Sequence, residues 1–142
     1  SYYDIKLKGK HIVVVGRSNI VGRPISILTS LKQDEADGTT TICHSGTSNI
    51  AQFTKIADIV IVALGVPKFL RGEMLKKKSI LIDVGINKID ASNKKGYVLV
   101  GDADYESIQQ KISAVTPVPG GVGPMTIAML VENTVEAAER FL

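Results

Sequence analysis

Two short aliphatic runs, Ile12-Val13-Val14-Val15 and Ile59-Val60-Ile61-Val62-Ala63-Leu64, each end on a glycine, Gly16 and Gly65. This feature constrains the fold more than any other. A run that is apolar at every position has no face to give to water. β-branched residues in such a run read as strands buried on both sides, as in a parallel sheet covered by helices.

The segments between and after these runs alternate in period. Ile20, Pro24, Ile27, Leu28 and Leu31 recur at helical spacing. Thr39 to Cys43 is β-prone. Asn49 is placed to cap a short helix carrying Ile50, Phe53 and Ile56. Gly65-Val66-Pro67 breaks the second aliphatic run, and Glu73 to Lys77 predicts one or two helical turns. Ser79 to Val84 predicts a strand, Asp90 to Gly96 a polar loop, and Tyr97 to Val100 a fifth strand. Asp104 reads as the N-cap of a helix marked by Tyr105, Ile108 and Ile112, and Ala114 to Thr116 as a short strand. The longest helix is predicted from Met125 to Leu142, with a stripe of Ile127, Leu130, Val131, Thr134, Val135 and Ala138. The fold class is therefore α/β: a Rossmann-like parallel sheet with helices on both faces, in one domain over 1–142.

Composition narrows the function. A charge of +3 in 142 residues suits a phosphate-bearing ligand and is too weak to argue nucleic acid. Aromatics are 5% with no tryptophan, so no stacking platform for single strands is expected. The run Ile59 to Leu64 is far short of the roughly 20 apolar residues that span a bilayer, and no membrane partner is expected. Cys43 is the single cysteine, which favours a reducing, cytoplasmic compartment and excludes a disulfide scaffold. With two histidines besides, a metal site is not expected. The chain opens on Ser1 rather than Met, so a processed or truncated product is expected.

In a doubly wound fold, ligands bind at the carboxyl ends of the strands. The first such end is Gly16-Arg17-Ser18-Asn19-Ile20-Val21-Gly22-Arg23-Pro24. Gly16 suits a tight turn and Gly22 close helix–sheet packing, and the following helix offers N–H groups to a phosphate. Ser18 stands where the usual G-x-G-x-x-G pattern has its second glycine. The second end is Cys43-His44-Ser45, without the acidic residue that usually holds the ribose hydroxyls of NAD. Ser45 and an approaching Arg17 instead suit a 2′-phosphate. Charge-assisted bonds of roughly 1.5–3 kcal/mol each would favour NADP by about 10-fold to 10³-fold. His44 has no partner at a recognisable catalytic spacing and reads as an orienting or packing residue. The third and fourth ends, Gly65-Val66-Pro67 and Val84-Gly85-Ile86-Asn87, are small and apolar enough to wall a flat ring. In Thr116 to Thr126, clustered prolines and glycines fix an irregular backbone, and Thr126 can offer a hydroxyl.

Read in order, these segments resemble the methylenetetrahydrofolate dehydrogenase/cyclohydrolase family. The matching stretches are Val15 to Pro24, Cys43-His44-Ser45, Ile82 to Asn87, Gly101-Asp102 and Thr116 to Thr126. The resemblance implies an NAD(P)-binding domain. It implies that Gly16, Arg17, Ser18 and Ser45 hold NADP (NAD in some members), with Arg17 and Ser45 on the 2′-phosphate. Ile86 and Thr126 would lie by the cofactor. Pro119, Gly120, Gly121, Gly123 and Pro124 would line its join with the folate. The implied enzyme oxidises 5,10-methylenetetrahydrofolate and hydrolyses the methenyl product to 10-formyltetrahydrofolate.

The sequence departs from that pattern in one respect. The family's upstream domain carries a tyrosine and lysine four residues apart, with a glutamine and an aspartate further on, and nothing here corresponds. Tyr2, Tyr3 and Lys6 align with the connection into the nucleotide domain. The upstream folate-binding domain is thus expected to be absent from the chain, no catalytic residue is assigned, and the chain alone is expected to turn over little. The stripe on the last helix should then be exposed or self-associating, and a homodimer is expected. The rivals are another nucleotide-dependent dehydrogenase, a transferase using a nucleotide-like methyl donor, and a non-enzymatic nucleotide-binding module of the same fold.

Overall fold

The structure, a computed structural model, describes residues 3–141. In chain order it places β1 (His11–Val15), α1 (Gly22–Ser30), β2 (Thr39–Cys43), α2 (Ile50–Thr54), β3 (Ile59–Val62) and β4 (Ile80–Asp83). These are followed by β5 (Asn87–Asp90), β6 (Tyr97–Val100), α3 (Tyr105–Ile108), β7 (Ala114–Val115) and α4 (Val122–Glu139). The main sheet has the order β2-β1-β3-β4-β7, and every neighbouring pair in it is parallel.

The aliphatic runs fill the centre of that sheet, as their lack of a polar face requires. On β1, Val13 and Val15 point to one core with Val60, Val62, Leu81 and Ile108, while Ile12 and Val14 point to the other with Ile59 and Ile61. Ile50 and Phe53 of α2 cover the first face and Ile25 of α1 packs on the second. The α/β, Rossmann-like parallel sheet with helices on both faces is as expected.

Several elements differ from the expectation. The face that α1 buries is Gly22, Ser26 and Thr29, while Ile27, Leu28 and Leu31 are exposed. Small side chains let the helix lie close to the sheet. Their hydroxyls are satisfied: Ser26 donates to the Arg23 carbonyl at 2.8 Å and Thr29 to the Ile25 carbonyl at 2.9 Å. Periodicity alone selects the apolar stripe and so picks the wrong face.

The expected fifth strand of the parallel sheet, Tyr97–Val100, pairs instead with β5 as a separate antiparallel ribbon. The supposed loop at Asp90–Gly96 is largely its turn. Asn93 closes it, accepting from the Lys95 N–H at 2.9 Å and donating to the Tyr97 carbonyl at 2.9 Å. Gly96 takes φ +74°, a left-handed conformation that glycine adopts without strain. The turns expected at Glu73–Lys77 reduce to one 3₁₀ turn, Gly72–Met74. β3 stops at Val62, short of Leu64, because Leu64 turns its N–H to a side chain. Asn49 and Asp104 precede α2 and α3 but make no side-chain capping bond. Asp104 instead faces Lys68 at 3.8 Å.

The last helix begins at Val122, three residues before the expected Met125, and none of its described residues is buried. Ile127, Leu130 and Val131 are 67%, 65% and 59% exposed, so the apolar stripe faces solvent. Among the described residues, no helix is long and apolar enough to cross a membrane.

Candidate nucleotide-binding site

The chain runs from β1 outward to β2 and then returns to β3 on the other side of β1. This reversal of strand order opens a crevice at the carboxyl ends of β1 and β3. Gly16 stands there at φ +130°, and a Cβ on it would lie 2.4 Å from the Ala63 carbonyl oxygen. A Cβ on Gly22 would lie 2.2 Å from the Gly16 carbonyl oxygen. Both positions therefore require glycine, for the close approach of β1, α1 and β3.

Between these glycines, Ser18 Oγ accepts from the N–H groups of Val21 at 3.1 Å and Gly22 at 3.3 Å. Ser18 thus organises the first turn of α1. Arg23 donates to Asn19 Oδ1 at 2.9 Å on the outside of the same turn. Arg17 is exposed, and its side chain makes no hydrogen bond or ion pair with the described residues.

Ser45 holds a matching place on the next strand. Val15 of β1 is the register partner of Cys43 of β2, so Arg17 and Ser45 each lie two residues past a paired position. The Gly16 N–H donates to the Cys43 carbonyl at 2.8 Å, which ties the two loops at their base. Ser45 is exposed, and its hydroxyl also lacks a partner among the described residues. His44 folds back on its own turn. Its Nδ1 accepts from the Gly46 N–H at 3.0 Å, and its own N–H donates to Thr47 Oγ1 at 3.0 Å. It is a turn-former here. Cys43 is fully buried, and burial pushes its thiol above the usual cysteine range, away from nucleophilic duty.

On the far side of the crevice, Ile86 is 59% exposed, and Gly123 at the start of α4 would bring a Cβ within 3.7 Å of its Cδ1. Val118-Pro119 is a cis peptide. Gly120 takes φ +101°, and a Cβ on Gly121 would lie 2.4 Å from the Pro117 carbonyl oxygen. Ile86 and the proline–glycine loop are therefore neighbours. Thr126 lies in the second turn of α4, because the helix starts early. It donates to the Val122 carbonyl at 3.1 Å and does not head the helix as expected.

A family model described as "Tetrahydrofolate dehydrogenase/cyclohydrolase, NAD(P)-binding domain" matches residues 1–142. The chain belongs to this family. Among curated relatives of the family, the bifunctional protein FolD of Flavobacterium johnsoniae is 58% identical over 95% of this chain, which covers 46% of that protein. FolD of Chlorobium phaeobacteroides strain BS1 is 56% identical over 99% of the chain, covering 47% of that protein. A crystal structure of FolD from Campylobacter jejuni matches with a TM-score of 0.89 at 45% identity, over 99% of this chain and 47% of that one. The Trypanosoma brucei enzyme, solved with NADP and an inhibitor, matches with a TM-score of 0.88 at 38% identity, over 98% of this chain and 46% of that one. The chain thus spans about half the length of the relatives it matches.

In this NAD(P)-binding domain of the tetrahydrofolate dehydrogenase/cyclohydrolase family, two buried carboxyl groups tie the strand ends together. Asp83 ends β4 and accepts from the N–H groups of Gly85 at 2.9 Å, Asp102 at 3.0 Å and Ala103 at 2.9 Å. Asp102 accepts from the N–H groups of Leu64 at 2.5 Å and Gly65 at 2.9 Å, and from Asn87 Nδ2 at 2.8 Å. Desolvation raises the Asp83 carboxyl above its ordinary range against the pull of its N–H bonds, and the neighbouring Asp102 adds to the rise. The sequence marks Asp102 only as part of the Gly101-Asp102 stretch and assigns it no role. A small cue was present: Gly85 and Gly101 flank these acids, and a Cβ on either would clash with a carboxyl oxygen. A cavity of about 210 Å³ lies beyond this pair, bordered by Lys68, Gly101, Asp104, Tyr105, Thr116 and Val118. Among the described residues, no group of three His, Cys, Asp or Glu could hold a metal ion.

Proposed function

We propose that this chain is the NADP-binding half of a bifunctional 5,10-methylenetetrahydrofolate dehydrogenase/5,10-methenyltetrahydrofolate cyclohydrolase. The observation that carries this reading is the pairing of Arg17 with Ser45. An unpartnered guanidinium and an unpartnered hydroxyl stand at equal offsets on adjoining strand ends, and no carboxylate stands at the tip of β2. That set suits a 2′-phosphate.

The residues fit a dinucleotide because the Gly16–Gly22 approach leaves backbone, not side chains, at the crevice floor. Gly16, Arg17 and Ser45 would hold the adenosine end, with Ser18 shaping the loop through its bonds to Val21 and Gly22. Ile86 would flank the nicotinamide, with Thr126 in the helix beside it. Pro119, Gly120, Gly121, Gly123 and Pro124 would line the join with folate. When bound, the cofactor supplies hydride acceptance. The chain's own part is to orient that ring and shield it from water.

The polarising and proton-transferring groups belong, on this reading, to a separate folate-binding domain, as does the folate itself. The exposed stripe of α4 offers an apolar face for such a domain. A homodimer in the cytoplasm completes the proposal. The test is titration calorimetry of NADP and NAD against the chain and its Arg17→Ala variant. Loss of about 10-fold to 10³-fold for NADP, with little change for NAD, is expected. Equal losses for the two would refute the 2′-phosphate role.

A further inference from the structure

We infer that Asp102 is a positioning residue that sets the nicotinamide-side wall of the crevice, and that Asn87 is its partner in doing so. This rests on the cofactor reading above and assigns a function to residues outside the implied contacts.

Asp102 is fully buried, and every group bonded to its carboxyl is a donor. Oδ2 takes both N–H groups at the point where β3 gives way to Gly65-Val66-Pro67. Oδ1 takes the Asn87 amide, one residue after Ile86. The backbone N–H of Asp102 is bound by Asp83 at the end of β4. One side chain therefore joins the exit of β3 to the exit of β4, and the two walls read as flanking a flat ring both hang on it. Neither Asp102 nor Asn87 needs to touch the cofactor. The adenosine end, at Gly16, Arg17 and Ser45, is tied instead by β1–β2 pairing and by the Gly16 to Cys43 bond.

The donor-only surroundings make a reciprocal exchange informative. In Asp102→Asn, an amide that keeps its oxygen toward Leu64 and Gly65 turns its NH₂ against the Asn87 NH₂, and Asn87 can answer only by flipping its amide and giving up its bond to the Val100 carbonyl at 3.5 Å. In Asn87→Asp, two carboxyl groups meet. With both substitutions, the amide of residue 102 can donate to the carboxylate of residue 87, and the bridge re-forms with its polarity reversed.

The experiment is calorimetric titration of the chain with NADP and with 2′,5′-ADP, which carries only the adenosine half. For each single variant, NADP affinity is expected to fall about tenfold or more. 2′,5′-ADP affinity should stay within about twofold, since its site shares no partner with Asp102. The double variant should recover most of the NADP affinity. Retained 2′,5′-ADP binding also shows that a variant is folded. If Asp102→Asn does not fold, Asn87→Leu severs the same bridge at a half-buried site, and the same split is expected. Unchanged NADP affinity in the variants, or equal loss of both ligands, overturns the role of Asp102. A parent chain that does not bind 2′,5′-ADP overturns the cofactor reading, and this inference with it.

Discussion

Gly22 opens α1 so close to Gly16 that a methyl group on it would lie 2.2 Å from the Gly16 carbonyl oxygen. The atom in the way is backbone, in a loop already held by Gly16 against Ala63, so it cannot swing aside as a side-chain tip would. Gly22→Ala is expected to destabilise the chain by about 1–3 kcal/mol, the usual cost of overpacking. Urea denaturation measures this, and a midpoint equal to the parent's would show that α1 can shift outward.

Ser45 tests the nucleotide reading from the β2 side. Ser45→Asp places an acid where NAD-binding chains carry one and where a 2′-phosphate would be repelled. Preference between the two coenzymes should swing toward NAD by about tenfold or more in calorimetry, the order expected for one charge-assisted bond exchanged for a like-charge contact. An unchanged ratio would place the 2′-phosphate elsewhere.

The amino-terminal edge of the sheet carries a pH-dependent contact. Asp58 is held below its ordinary 3.8, first by its bond to Lys76 at 2.6 Å and then by the His11 N–H at 3.0 Å. A carboxylate with a lowered folded pKa adds stability above its unfolded value, and this is lost as pH falls through the folded one. Asp58→Ala should therefore cost roughly 1 kcal/mol at neutral pH. Denaturation curves of the two proteins should converge as the pH drops below 3.8. A gap that persists in acid would mean that packing, not charge, is lost.

Cys43 should resist alkylation in the native chain at mildly alkaline pH and react only on unfolding. It is fully buried, and its thiol is raised by that burial. Mass spectrometry after brief iodoacetamide treatment, with and without urea, checks this. Rapid native labelling would show that the end of β2 opens.

The two helix-and-sheet environments should also differ in sensitivity. Leu81→Ala, at a fully buried site in β4, should cost about 2–5 kcal/mol. Leu130→Gln on α4 should change stability by no more than about 0.5 kcal/mol, since the side chain is 65% exposed. A large loss from Leu130→Gln would mean that α4 packs on a second molecule in solution.

The sheet was legible in the sequence because the runs Ile12–Val15 of β1 and Ile59–Val62 of β3 are apolar at every position, a pattern that water does not permit on a surface strand. The end of β1 was marked for a related reason: Gly16, Arg17 and Ser18 stand where its aliphatic run stops, whereas the end of β2, after Thr39–Cys43, is marked only by Ser45 and the lack of an acid. Period analysis failed where small residues do the packing. Ser26 and Thr29 lie against the sheet with hydroxyls bonded within the helix and, for Thr29, also to Thr40 of β2 at 2.9 Å, so the buried side of α1 carries little apolar signal. The β5–β6 ribbon was missed because its residues alternate over four positions only, with charge at Lys88 and Asp90 on the outer face. The Asp83–Asp102 pair could not be read from spacing at all. The two acids are 19 residues apart in sequence and meet only because the ribbon returns the chain to its starting level.

That return has a consequence for how this molecule can be altered. Asn87 and Asp102, at the base of the ribbon, bond to each other, while the tip at Asn93 to Gly96 is exposed and held by its own turn. A change of length at the tip is absorbed before it reaches the base, so this arm is a natural place to graft a fluorophore or a foreign epitope while leaving the crevice undisturbed.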